Sequence, residues 1–144
     1  IGVVTGEASG LVVIDVDRGA DAAALELPAT RTVRTPSGGF HFYFAHPGER
    51  IKNNNTGKLG AHIDVRGDGG YVVAPPSAVG GKRYELNGRR RRPNPLPSDL
   101  LGSLLRPEAR ENEKALPGSR HELLVSMAGR LRAAERGDSF GRNQ

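Results

Sequence analysis

The stretch with the clearest chemical content is Leu11-Val12-Val13-Ile14-Asp15-Val16-Asp17, an apolar run that ends in two carboxylates one residue apart. It is too short to span a bilayer and reads as a buried strand. Side chains alternate along a strand, so Asp15 and Asp17 fall on one face, roughly 6–7 Å apart, with Val12, Ile14 and Val16 on the other. Two like charges at the end of a buried strand call for a counter-charge, which a divalent cation would supply. A lone Asp-x-Asp fits equally a strand running out into a solvated acidic loop, so the rest of the chain must decide.

Two further segments alternate in the same way. In Phe40–Phe44 the phenylalanines share one face, and His41 and Tyr43 the other. In His62–Arg66, Ile63 and Val65 point inward and His62, Asp64 and Arg66 form the polar face. Three polar strand faces therefore offer Asp15 with Asp17, His41, and Asp64 with Arg66. Three carboxylates from two strands can hold two divalent ions. Mg²⁺ takes oxygen ligands in an octahedron, usually a few carboxylates plus phosphate oxygens. Two such ions clamp the attacking and leaving oxygens of a phosphoryl transfer. Phosphates also need fixed donors. Backbone amides of the Ser37-Gly38-Gly39 turn, with His41, Lys58 and Arg66, are of the right types to cradle a triphosphate.

The elements that must position these groups follow from the same pattern. Ile1–Thr5 reads as a short strand before a turn at 6–10. Ala20–Leu27 has high helix propensity and is ended by Pro28. Thr30–Arg34 is extended, and Pro36-Ser37-Gly38-Gly39 is a strong turn signal. The strand at Phe40–Phe44 carries three of the four phenylalanines and is expected to anchor the core. Ala45–Lys58 reads as a long polar loop. Gly67–Gly70 reads as a tight turn, in which Asp68 serves the turn, with Tyr71–Ala74 as the return strand and Pro75-Pro76 as its stop. Gly80–Gly88 suggests a hairpin around Lys82–Leu86, and Arg89–Arg92 a basic loop. Ser98–Leu105 reads as a helix between Pro97 and Pro107. Residues 108–118 read as a charged linker. A capping box at Ser119-Arg120-His121-Glu122 opens a helix to about Glu135 within a helical segment 119–144. Strands dominate before residue 88, which argues for an α+β fold.

Composition sets the outer limits. The 144 residues suffice for one domain with a real core, and 36% hydrophobic residues with no Trp make that core mostly aliphatic. The absence of Cys excludes disulfides and thiolate zinc sites and suits a cytoplasmic location. No apolar stretch is long enough for a membrane helix. A formal charge of +5 and a pI near 10.1 favour a polyanionic partner such as nucleic acid or nucleotides.

The order Asp-Val-Asp, then Arg34-Thr35-Pro36-Ser37-Gly38-Gly39-Phe40-His41-Phe42-Tyr43-Phe44, then Ile63-Asp64-Val65-Arg66-Gly67-Asp68-Gly69-Gly70-Tyr71-Val72-Val73-Ala74-Pro75-Pro76-Ser77 resembles the N-terminal domain of bifunctional DNA primase/polymerases (Prim-Pol), in the archaeo-eukaryotic primase superfamily. The resemblance covers about residues 1–87, and its last block is the most specific. It implies an RRM-like antiparallel sheet with flanking helices. It implies template-directed synthesis of RNA or DNA primers from NTPs or dNTPs on single-stranded DNA, in replication of a plasmid, phage or integrated element. It places catalytic metals, Mg²⁺ or Mn²⁺, on Asp15, Asp17 and Asp64, and the incoming nucleotide on His41. Residues 1–107 would be the catalytic domain, preceded by a further N-terminal portion, and the segment from Ser119 would lead toward a helicase domain.

Two other functions fit the residues alone. Carboxylate clusters also serve metal-dependent nucleases and phosphoesterases. A catalytically idle nucleic-acid-binding module of a replication assembly would show the same charge. The Arg-Gly-Asp tripeptides at 66–68 and 136–138 are common by chance and carry no adhesion reading.

Overall fold

The computed structural model of the chain describes residues 1–53, 57–89 and 91–107. The expected linker and the helix from Ser119 lie outside them. Among the described residues the order is β1 (Gly2–Val4), β2 (Leu11–Val16), β3 (Arg31–Arg34), β4 (Phe40–Ala45), β5 (Ile63–Arg66), β6 (Tyr71–Val73), β7 (Ala78–Val79), β8 (Lys82–Arg83), β9 (Glu85–Leu86), β10 (Asn94–Pro95) and one helix, α1 (Ser98–Leu105). This is an α+β arrangement.

The β-branched run of β2 makes it the centre of the main sheet, in the order β5-β2-β4-β3-β9, with β10 parallel to the end of β4. All other pairings in this sheet are antiparallel. Alternation then sends residues to opposite faces. On one face Val12, Ile14 and Val16 pack with Phe44, Ile51, Ile63, Val65 and the α1 residues Leu100 and Leu104. Leu100 and Leu104 are four apart and so share one side of the helix. On the other face Val13, Val33 and Tyr43 pack with Val72 of β6, joined by Val3, Leu11 and Tyr84. Val12, Val13 and Ile14 are all fully buried, which explains why this strand reads as a continuous apolar run.

Several expected elements take other forms. Ala20–Leu27 is not a helix: it contains only a 3₁₀ turn at Ala23–Leu25. Nucleating an α-helix is costly over so few residues. Glu26, at φ 47°, breaks the helical path, while Ala20, Ala22, Leu25 and Leu27 still pack on the core. Tyr71–Val73 does not return along β5; it pairs with β1 in a separate two-stranded ribbon. The Gly80-Gly81 turn joins β7 to β8, and Glu85–Leu86 pairs with β3 instead of closing a hairpin centred on Lys82–Leu86. The ribbon also changes the burial of β4. His41 and Tyr43, on the nominally polar face, are buried, whereas Phe40 and Phe42 are only half-buried.

Asp68 holds the turn before β6, as its position in Gly67–Gly70 leads one to expect. Its carboxylate accepts the N–H groups of Glu7 (2.9 Å) and Ile51 (2.8 Å) and lies 3.2 Å from His46 Nε2. Gly67 is needed beside it, because a Cβ there would collide with the backbone of Ile51.

The hydrogen bonds from Glu7, Ile51 and His46 hold the Asp68 carboxyl below its ordinary value. Its contribution is therefore complete above the ordinary carboxylate range and is lost as pH falls through the lowered value. Asp68→Ala should cost roughly 1–3 kcal/mol at pH 7 and flatten the acid limb, as read by urea unfolding against pH. The Tyr43 hydroxyl is buried with no hydrogen-bond partner among the described residues. Burial pushes its ionisation up to about 12, against the opposing pull of Arg31. Stability from this group is complete below pH 10 and lost as pH rises through about 12. Tyr43→Phe should raise neutral stability by up to about 1 kcal/mol and lessen the alkaline loss.

Candidate functional site

The site begins with strand register. Asp15 of β2 lies directly between His41 of β4 and Asp64 of β5, so these three side chains form one row across three strands on the ribbon-side face. Directly opposed residues bring their Cβ atoms to roughly 4.5–5.5 Å, where like charges destabilise. Arg66, two residues after Asp64, falls on the same face, in register with Val13. Its guanidinium is 3.3 Å from Asp64 Oδ2 and 3.6 Å from Asp15 Oδ2. His41 Nε2 lies 3.3 Å from Asp15 Oδ1.

Arg66 thus supplies a counter-charge between Asp15 and Asp64 that the sequence alone does not reveal. The cluster is sheltered without being sealed. The side chains of Asp15, Asp64 and Arg66 are 20%, 25% and 29% exposed, and His41 is 6% exposed. His41 Nδ1 is buried with no hydrogen-bond partner among the described residues. Its ring lies 5.9 Å from that of Tyr84 and 6.4 Å from that of Tyr43.

A cleft of about 280 Å³ opens onto this row. Asp15, His41 and Arg66 form its floor and walls together with Asn53, Tyr84 and the Gly69-Gly70 entry to β6. Gly70 is packed closely there. A side chain at Gly70 would strike Asn53 and Thr5. Asn53 and Tyr84 carry no motif in the sequence. They reach the cleft only because the polar loop and the segment before β9 fold back over the sheet.

The other expected residues are distributed around this cluster. Asp17 stands one residue beyond the end of β2 and is exposed, with its N–H bonded to the His62 carbonyl at 3.0 Å. The Ser37-Gly38-Gly39 turn sits against the same exit, since a Cβ on Gly39 would strike the Val16 carbonyl. Its two glycine amides are already committed: Gly38 N–H donates to the Thr35 carbonyl and Gly39 N–H to Thr35 Oγ1, each at 3.0 Å. Ser37 Oγ is 3.0 Å from Thr35 Oγ1. Lys58 is not brought to the row. Its ammonium donates to the carbonyls of Leu104 (3.2 Å) and Arg106 (2.9 Å), closing the C-terminal end of α1.

Among the described residues no three His, Asp or Glu side chains converge as a ready-made metal cage. The donor set nonetheless suits a hard divalent ion. Asp15 and Asp64 face each other with oxygen donors, Asp17 lies close along the chain, and the remaining coordination is left for phosphate oxygens, as Mg²⁺ prefers. Among the described residues no helix is long and apolar enough to cross a membrane.

Residues 1–99 match the Prim-Pol family, described as the N-terminal part of bifunctional DNA primase/polymerase. The match includes the whole Asp15, His41, Asp64 and Arg66 row. No curated protein matches the chain.

If Arg66 is the counter-charge, removing it should expose the repulsion between Asp15 and Asp64. Arg66→Gln should lower neutral stability by about 1 kcal/mol. Raising salt should recover part of that loss by screening the two carboxylates, as read by thermal unfolding at two ionic strengths.

Proposed function

The chain belongs to the Prim-Pol family, and from that premise we propose that it synthesises primers and extends DNA or RNA from NTPs or dNTPs by template-directed nucleotidyl transfer. The setting implied is replication of a plasmid, phage or integrated element, with a helicase domain in the full-length protein. The observation that carries the reading is the cross-strand row in which Asp15 and Asp64 face each other, flanked by His41 and Arg66, with Asp15, His41 and Arg66 lining one cleft. The strand order β5-β2-β4-β3 supports the RRM-like reading of the sheet, with a 3₁₀ turn and a loop in place of its crossover helices.

Asp15 and Asp64, with Asp17 at the strand exit, would hold Mg²⁺ or Mn²⁺ as ionised ligands. Bound divalent ions would supply charge neutralisation for the triphosphate and a more acidic primer 3′-hydroxyl. The remaining work falls to the protein. His41, fixed by burial and by its contact with Asp15, places an imidazole beside the incoming nucleotide. Arg66 already sits between two carboxylates and has donors to spare for a phosphate oxygen. The 3′-hydroxyl gives up its proton to solvent, its oxygen bonds to the α-phosphorus as the bond to the bridging oxygen breaks, and pyrophosphate leaves with the charge that Arg66 and His41 help to stabilise. Ser37 and the glycines beside it would border the phosphates at the exit of β2.

Asp15→Ala and Asp64→Ala should each reduce metal-dependent dNTP incorporation by roughly 100-fold or more, the scale on which single charge-stabilising groups act. Calorimetry with Mn²⁺ and dNTP should show weakened binding in the same variants. Incorporation that survives either substitution would sink the assignment, and cleavage of labelled DNA in place of incorporation would favour a nuclease.

A further inference from the structure

A second charged region lies beside the carboxylate row, at the exit of β2. The Thr35–Gly39 turn is held there by the seating of Gly39 on Val16, and the stem of Arg18 crosses the outer side of Gly38. With the Gly38 and Gly39 amides bonded within the turn, anion binding at this end falls chiefly to side chains. Opposite the turn stands the β7–β8 hairpin. All four of its strand residues are exposed, and none belongs to either core cluster. The Tyr84 N–H bonds the Ser77 carbonyl across its base at 2.9 Å. The hairpin is therefore an arm that the core does not require.

Between arm and turn runs an open groove of about 490 Å³, lined among others by Arg34, Gly38, Gly81, Lys82, Arg83 and Glu85. Arg34 pairs with Glu85 at 3.0 Å. Among the described residues, Lys82, Arg83 and Arg18 form no ion pair. An exposed groove with surplus unpaired cations attracts a polyanion. The nucleotide donors His41 and Arg66 line the other cleft, and the two regions share only the Thr35–Gly39 turn, so Lys82 and Arg83 across the groove face a second run of phosphates.

We propose that the groove between the Thr35–Gly39 turn and the β7–β8 arm holds the sugar–phosphate backbone of single-stranded nucleic acid and leads it to the carboxylate row, with Lys82 and Arg83 as its main phosphate contacts. The proposal rests on the nucleotidyl-transfer reading only for the direction in which the strand runs. The contacts are to phosphate and carry no base preference.

The test is anisotropy of a labelled single-stranded oligonucleotide over a salt series, using the full 144-residue chain and Lys82→Gln/Arg83→Gln. Each cation removed from phosphate contact lowers the slope of log K against log salt by about 0.7, so the double variant should lose about 1.4. Lys82→Arg/Arg83→Lys should keep the slope, and both should unfold at the wild-type temperature. Binding of Mn²⁺ and dNTP by calorimetry should be unchanged in the double variant. An unchanged slope overturns the proposal, as does a wild-type chain that binds no oligonucleotide. A loss confined to nucleotide affinity overturns it too, and assigns the groove to the triphosphate. Wild-type incorporation with an unchanged slope would leave the transfer reading standing. A lowered slope in a chain that binds no metal nucleotide would leave the groove and remove the transfer reading.

Discussion

Burial of β2 on both faces is the constraint on which the rest of the structure depends. Val12 and Ile14 must be covered by α1, Ile51 and β5, while Val13 must be covered by the β1–β6 ribbon. A strand with two apolar faces belongs at the centre of a sheet, and its two neighbours then fix what stands beside each of its residues. The register is strongly specified, because a one-residue slip would carry Asp15 into the apolar core and Ile14 out of it. The chemistry inherits that precision: Asp15 meets His41 and Asp64 because Val12, Ile14 and Val16 must meet Phe44, Phe42 and Phe40 on one side and Val65 and Ile63 on the other.

The same register creates an electrostatic problem and partly solves it. Facing carboxylates on adjacent strands repel, and Arg66, one pleat along β5, bridges both. One guanidinium offsets only part of the charge of two carboxylates, so the cluster keeps surplus negative charge and stays rich in hard oxygen donors. A guanidinium has five donors and meets the two carboxylates with only some of them, so it is suited to hold the protein together and to engage phosphate at once. His41 works under a tighter restraint. One ring nitrogen lies against Asp15, and the other is buried without a partner among the described residues, a costly arrangement that structures keep mainly where a site needs it.

Around this centre the surface is divided by charge and shape. The cleft under β6 is the smaller of the two. The groove beside the β7–β8 arm is wider, exposed and basic. Structural duties are kept apart from both: Asp68 ties the turn before β6 to residues 7, 46 and 51, and Lys58 closes α1. Formal charge alone would have pooled Lys58 with the phosphate donors.

Alternation in the chain was enough to place β2, β4 and β5, because it is a local consequence of which side is buried, and Pro97 and Pro107 were enough to bracket α1. It was enough also to name Asp15, His41, Asp64 and Arg66 as candidates, since their types stand out on otherwise apolar strands. Three features required the tertiary structure. The partner of β6 is β1, because the Asp68-centred turn lifts the chain out of the main sheet, and nothing in Tyr71–Val73 encodes that pairing. Ala20–Leu27 forms only a 3₁₀ turn, because packing of its alanines and leucines on the core outweighs their helix propensity. The counter-charge for Asp15 is Arg66, because the two meet only through the β2–β5 register. Sequence supplied the residue types and their faces; long-range pairing decided which of them became neighbours, since the distance between two side chains on different strands is set by register and not by their separation along the chain.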